Sequence, residues 1–436
     1  MFAAPNWRHC WRDYPYLEEY PDNDSCPCIS ECRTRVTGIT TSGAIDVIFS
    51  PMTSPQSPNQ LGITLKQADR RLYHFIRTSY RWVQREWKGP RLNLPLSRKF
   101  DMWRRGFFAE SDTIYDLTQN SPDDYISDYQ HAVRCSRINA WSGFYDHKMV
   151  LRSFLLAIGL RQANTVALIL DRKILLHPYS GQARYVSADD MLELLRQGGG
   201  DSKFIVKPED GLCGEDIFLL LYRDGQFWRQ RGRAVDPFDV AAFLDEQKKS
   251  RRKGRPPSAI LIEERLQQGP FWAGLFPDSA NTMRVLTMWH PGEPGPFVAR
   301  AVQRVGTADT VPTDNWSGGG ISVPIDPATG RLGLGRMHPL KGRRPEQRFE
   351  HHPDTGAQLT GAVIPGWDRI TATVLQAAGS LPFNRIGGWD VLVDASGIPI
   401  ILEANGNSDV NLLQVHGGLL AEPRIRRFYE ALSVVS

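Results

Sequence analysis

Apolar positions recur along the chain in two rhythms. Where they fall three and four residues apart, helices are predicted: "DHKMVLRSFLLAIGL", stopped at Gly159, "SADDMLELLRQ", opened by Ser187 as N-cap and ended by Gly198 to Gly200, and a helix near "GWDRITATVLQAAGSL". Between these lie short runs rich in Val, Ile and Leu, bounded by turn residues: "TVALILD", "KILLHPY", "SAILIEERL", and "KFIVKPEDGLCGEDIFLLLYRDGQFW" as strand, glycine loop, strand, turn, strand. The stretch "NTMRVLTMWHPGEPGPFVARAVQRVG" reads as a long hairpin around a Pro/Gly turn. Helices alternating with mostly antiparallel strands predict an α+β fold.

The first part of the chain reads differently. Residues 1–62 are rich in Pro, Ser, Thr and Asp and are expected to be loosely ordered. Gln67 to Trp87 suit a basic, aromatic amphipathic helix with Leu72, Phe75, Ile76, Tyr80 and Val83 near one face, and residues 95–145 look helical and aromatic.

The most informative stretch is "GGWDVLVDASGIPIILEANGN", a hairpin with its turn at Asp394 to Gly397. Pairing centred on that turn sets Val393 opposite Ile400, Val391 opposite Leu402 and Asp390 opposite Glu403. Opposed residues have Cβ atoms about 4.5–5.5 Å apart, and like charges there destabilise the sheet. A shared proton or a bound cation would relieve the pair. Asn405 points to the same face if the strand continues, and two carboxylates with an amide oxygen suit magnesium. The competing reading is an exposed hairpin whose acids are solvated.

Composition narrows the classes. With 436 residues, 41% hydrophobic and 23% charged, the chain can bury a large core in two or three subdomains. No run approaches a membrane span of about 18 apolar residues, and the start lacks a signal-peptide pattern, so a cytoplasmic protein is expected. A net charge of +4 suits a phosphate-bearing ligand without implying nucleic acid; the basic run "KKSRRKGR" is short and has no interleaved aromatics. Cys10, Cys26, Cys28 and Cys32 crowd the first residues with His9, but their spacing fits no common zinc pattern, and free thiols are the plainer reading.

Two further residues suggest phosphate chemistry. In "FIVKPEDGLCGED", Lys207 ends a strand and runs into a loop with Gly211 and Gly214, where backbone N–H groups can close on phosphate oxygens. The lysine precedes the glycines, so this is no Walker A motif. Arg284, in "NTMRVLT", is either a solvent-facing strand residue or a clamp on a transferring phosphate.

The order and spacing of "DHKMVLRSFLLAIGL", "FIVKPEDGLCG", "ILIEERLQQ", "FPDSANTMRVLT", "DNWSGGGI", "IGGWDVLV" and "ILEANGNSD" resemble the ATP-grasp enzymes, in particular their sugar-transfer-associated branch. The resemblance covers roughly residues 100–430, and its hairpin is similar to the metal-binding hairpin of D-alanine–D-alanine ligase-type enzymes. It implies an ATP-grasp fold, two α+β subdomains gripping ATP, preceded by a helical N-terminal region at 63–145. The core would span 146–430, with a small lid subdomain at about 160–262 and a catalytic subdomain at about 263–430.

The resemblance also implies roles. Lys148 and Lys207 match the nucleotide-binding lysines, and residues 209 to 214 match the glycine flap, here made more acidic by Glu215 and Asp216. Glu263, Glu264 and Leu266 match the hinge that reads adenine and ribose. Arg284 matches the arginine on the transferred phosphoryl group, with Asn281 close by. Asp390, Glu403 and Asn405 match the magnesium ligands. Asp314, Asn315 and Gly318 to Gly320, with Gly319 at the centre, form a branch-specific loop expected to touch substrate or metal. The implied activity is an ATP- and magnesium-dependent carboxylate–amine ligase working through an acyl phosphate. Its substrate would be a small molecule, glycan or peptide, in cell-surface polysaccharide or peptide-like metabolite synthesis. The rivals are a kinase on the same fold, which would yield a phosphorylated hydroxyl, and a silent nucleotide-binding protein, which would bind ATP without turnover.

Overall fold

The computed structural model describes Gln84, Glu86, Leu92 and residues 94–435, except 171–172, 198–202, 210–216, 232–233 and 250–258. The tail, the cysteine cluster, most of the helix expected at 67–87, and the flap glycines Gly211 and Gly214 therefore lie outside the described residues.

Two antiparallel sheets dominate, so the α+β expectation is met. The first contains β1 (Thr165–Leu170), β2 (Lys173–Leu176), β3 (Arg184–Val186), β4 (Lys203–Pro208), β5 (Phe218–Arg223), β6 (Gln226–Arg231), β7 (Ala234–Pro237) and β8 (Ile260–Glu264), in the order β3-β2-β1-β8-β4-β5-β6-β7. Helices Ala188–Gln197 and Val240–Lys249 contribute Met191, Leu195, Phe243 and Leu244 to its core. Ser187 caps the first of these: its hydroxyl accepts from Asp190 N at 3.1 Å, and its own N–H donates to the Asp190 carboxylate at 3.2 Å.

The second sheet contains β9 (Met283–Met288), β10 (Phe297–Val305), β11 (Ile321–Ile325), β12 (Gly335–Met337), β13 (Arg348–Phe349), β14 (Ile386–Val393) and β15 (Pro399–Asn405), in the order β13-β12-β11-β10-β9-β14-β15. Strand residues alternate between faces, and here both faces are covered. Met283 and Val285 join one core with helix Trp367–Gly379 and with Leu151 and Leu155 of helix Lys148–Ala157. Leu286 and Met288 join another, built with Met102, Phe107, Ile114 and Tyr115 from the N-terminal region and Phe428 and Tyr429 from helix Pro423–Ala431. Arg284, two residues before Leu286, shares that second face. The N-terminal region is helical as expected, though much of it is short: helices Leu96–Arg104 and Ala109–Tyr115 are followed by 3-10 and π turns.

The β14–β15 hairpin corrects the register in part. Asp390 does face Glu403, but Val391 faces Ile401, Leu392 faces Ile400 and Val393 faces Pro399. The turn closes one residue tighter than a pairing centred on it would, because the Asp394 carboxylate accepts from Ser396 N and Ile398 N, each at 2.9 Å. A bulge at Leu402 absorbs the extra residue and restores the expected pairing at the outer end.

Candidate active site

The site begins with the hairpin. Asp390 on β14 lies opposite Glu403 on β15 and, on its other side, opposite Arg284 on β9. Arg284 grips Asp390 with two nitrogens: Nε donates to Oδ1, and Nη2 donates to Oδ2 at 2.9 Å. Its Nη1 donates to Ser408 Oγ at 2.9 Å. Arg304 on β10 donates from Nη1 to Asp390 Oδ2 at 2.9 Å and from Nη2 to Asp314. The second Asp314 oxygen accepts from Thr282 N at 2.7 Å and Thr282 Oγ1 at 2.6 Å. The result is a buried chain of alternating charge, Asp314–Arg304–Asp390–Arg284.

These contacts set the charges. Burial alone would raise the Asp390 carboxyl, but Arg284 and Arg304 hold it well below the usual range. Glu403 moves the other way, pushed up first by burial and then by the neighbouring Asp390 charge. Burial also pushes Asp314 up, against the pull of Arg304 and Thr282. Lys148 opens helix Lys148–Ala157 and donates to the Glu209 carbonyl at 3.2 Å; its charge also favours ionised Glu403. The Glu209 carboxylate meets the start of that helix, accepting from Met149 N at 3.3 Å beside His147 Nδ1 at 3.2 Å.

A second cluster lies on the first sheet. Lys207 Nζ is 2.8 Å from Glu263 Oε2, and Arg152 Nη2 is 2.5 Å from Glu263 Oε1. Burial works to raise Glu263, but Lys207 and then Arg152 hold it below its ordinary value. Glu264, next along β8, is exposed and accepts from Asn164 Nδ2 at 2.8 Å. Alternation along the strand thus separates the two acids: Glu263 fixes Lys207, and Glu264 faces solvent. Leu266 follows the strand and is half-buried.

The loop residues divide too. Asn281 is fully buried and committed to the fold: Oδ1 accepts from Ser279 Oγ and Gly306 N, each at 3.0 Å, while Nδ2 donates to the Trp272 and Phe276 carbonyls at 2.8 and 2.7 Å. Asn315 caps the short turn Trp316–Gly318, accepting from Ser317 N at 3.1 Å. Gly319 has φ +115, the left-handed region, and its carbonyl accepts from Thr307 Oγ1 at 3.2 Å. Sequence reasoning gave no role to Arg304, Arg152 or Ser408, and placed Glu209 only as the first residue of the flap. Arg304 could have been found only through its spacing from Val302, which faces Arg284.

Among the described residues, no three His, Cys, Asp or Glu side chains converge to hold a metal. A cation here would rest on two carboxylates and an amide. The donor set fits magnesium: the oxygens are hard, and a cation would offset the Asp390 charge that, after burial, pushes Glu403 up.

The sugar-transfer associated ATP-grasp family matches residues 146–429. No curated protein matches the chain. Among solved structures, an L-amino acid ligase from Bacillus licheniformis is similar at 12% identity over 61% of this chain and 41% of its own, with TM-score 0.30. D-alanine–D-alanine ligase from Helicobacter pylori is similar at 10% identity over 67% of this chain and 62% of its own, with TM-score 0.32. D-cycloserine synthetase is similar at 14% identity over 78% of this chain and 95% of its own, with TM-score 0.34. The chain thus spans less than two thirds of the first two.

Proposed function

Since the chain belongs to the sugar-transfer associated ATP-grasp family, we propose that it is an ATP- and magnesium-dependent ligase that joins a carboxylate to an amine in the cytoplasm, in cell-surface polysaccharide or peptide-like metabolite synthesis. A carboxylate oxygen attacks the γ-phosphorus of ATP, the bond to the bridging oxygen breaks, and ADP leaves. The amine nitrogen then attacks the acyl carbon of the acyl phosphate, phosphate departs, and the nitrogen gives up a proton.

Chemistry of this kind works by positioning and electrostatics, and the proposed residues are suited to both. Lys148 and Lys207 bind phosphate oxygens, with Glu263 and Arg152 keeping Lys207 aimed. Arg284 meets the transferred phosphoryl group through Nη1, the one nitrogen not committed to Asp390. Glu264 and the backbone toward Leu266 face adenine and ribose. Asp390, Glu403 and Asn405 would hold magnesium, which when bound supplies positive charge against the β- and γ-phosphates. Arg304 keeps Asp390 ionised, and Asp314 anchors Arg304. We assign substrate contact to the Asn315–Gly319 turn and leave Asn281 to the fold.

The observation that carries this reading is the pair of buried Asp390 and half-buried Glu403, directly opposed on adjacent strands. The test is ATP affinity with and without magnesium for the wild type, Lys207→Ala and Glu403→Gln. We expect magnesium-dependent binding that each substitution weakens by about tenfold or more, as loss of a charge-assisted contact does. Tight binding untouched by either change would remove the site. In turnover, hydroxylamine should trap a hydroxamate; a phosphorylated hydroxyl with no hydroxamate would make the protein a kinase.

A further inference from the structure

The same sheet face carries a second group of arginines. Register places Arg304, Ser322, Arg336 and Arg348 in one row across β10 to β13, each opposite the next. Arg304 is neutralised by Asp390 and Asp314. The other end of the row opens into a cavity of about 300 Å³, whose walls include Arg336, Arg348, His416, Tyr115, Tyr125 and Leu334. That is the size of a small ligand pocket.

Arg336 is only 7% exposed. Its Nη1 donates to the carbonyls of Ile114 and Val415 at 3.3 and 3.1 Å, while its Nε has no partner. Among the described residues, no carboxylate forms an ion pair with Arg300, Arg336 or Arg348. Asp116 also lines the cavity, and its charge and that of Glu346 act favourably on Arg336 from a distance, but neither carboxylate forms an ion pair with it; the Asp116 carboxylate accepts from Thr118 Oγ1 at 2.8 Å. Burial, and then the nearby Arg348, pull the Arg336 guanidinium down to about 10. His416 adds no negative charge: Ser322 Oγ lies 2.9 Å from its Nε2, and burial with three arginines nearby pulls the imidazole down to about 3. Tyr115 and Tyr125 stack at 4.8 Å and, with Leu334, give the cavity an aromatic and apolar side.

A buried cation that lines a cavity and has no carboxylate in ion-pair contact among the described residues marks a place suited to an anion. We propose that this cavity binds the carboxylate or phosphate group of a small-molecule ligand, with Arg336 as the buried anchor, Arg348 at the exposed mouth and the tyrosine pair against the ligand's body. The site is separate from Asp390 and Lys207 and does not rest on the ligase reading; it would stand if the reaction were another.

The test is isothermal titration calorimetry of the full chain at low ionic strength, with inorganic phosphate and, separately, succinate. At least one probe should bind saturably, and the preferred one identifies the oxyanion. Arg348→Glu and Arg336→Met should each weaken binding by about tenfold or more, while Lys207→Ala leaves it within about twofold. Arg348 is exposed, so its variant decides the matter even if Arg336→Met does not fold. Three results would overturn the proposal: no saturable binding of either probe, binding that survives Arg348→Glu, or binding lost in Lys207→Ala alone.

Discussion

Two pairs of arginines share one sheet face and meet opposite circumstances. Arg284 and Arg304 are interleaved with Asp390 and Asp314, so each buried charge has a partner. Arg336, two strands from Arg304, is as buried as Arg284 but has only carbonyls, and its neighbour on β13 is another arginine. The difference teaches how to read buried charge. A compensated arginine belongs to the architecture around it, whereas an uncompensated one points to something outside the chain.

The sharpest way to break this contrast is to remove one arginine from each group. Arg284→Met leaves Asp390 in the interior with Arg304 alone, and the stability lost should be about 3–5 kcal/mol in denaturant unfolding. Arg336→Met removes a charge with no ionic partner and should change stability by less than about 1 kcal/mol, or raise it. Equal losses would show that the carbonyls around Arg336 serve it as well as a carboxylate serves Arg284.

A smaller effect should appear with pH. His338 packs on Trp316 with ring centroids 4.4 Å apart and is pulled down to about 4 by burial, with Lys341 and Arg336 adding to the shift. Its folded pKa lies below the unfolded value of about 6.5, so the unfolded chain takes up the proton first. This contribution is fully present above about pH 6.5 and is lost as pH falls toward 4, amounting to about 3 kcal/mol. Unfolding midpoints measured across that window should fall with pH, and His338→Gln should flatten the slope.

A smaller change again than that of Arg284→Met or the pH effect concerns the Nη1 end of Arg284. Ser408→Ala removes the acceptor of Nη1 and should cost about 1 kcal/mol, read as a shift in denaturant midpoint with unchanged slope. A loss as large as that of Arg284→Met would place the anchor of this arginine on Ser408 and not on Asp390.

How much of this was legible depended on whether partners were near in sequence. The Asp390–Glu403 pair could be read because alternation and a turn fix a local register. The Leu402 bulge could not, since no glycine or proline marks it and the tighter turn comes from Asp394 bonding its own backbone. Arg304 looked like an ordinary strand residue in "ARAVQRVG" because Asp390, its partner across the sheet, lies 86 positions away. Arg152 sits in an apolar helix pattern, and only the first sheet, folded against that helix, reveals Glu263 beside it. The two sheets were legible as strands, but their order was not, because strand order is set by long-range packing. Residues 122–145 form 3-10 and π turns whose spacing carries no clear period.

That N-terminal region has a practical consequence. Gln414 accepts from Ile126 N at 2.8 Å and donates back to its carbonyl at 3.1 Å, and Asn139 holds the Ile386 and Gly406 carbonyls at 2.8 and 2.9 Å. A shortened protein starting where the family match starts, at residue 146, would strip Met102, Phe107, Ile114 and Tyr115 from a shared core and release both clasps at once. The boundary of ancestry and the boundary of cooperative folding are different lines on this chain, and anyone trimming it for crystals or fusions should cut before Leu96.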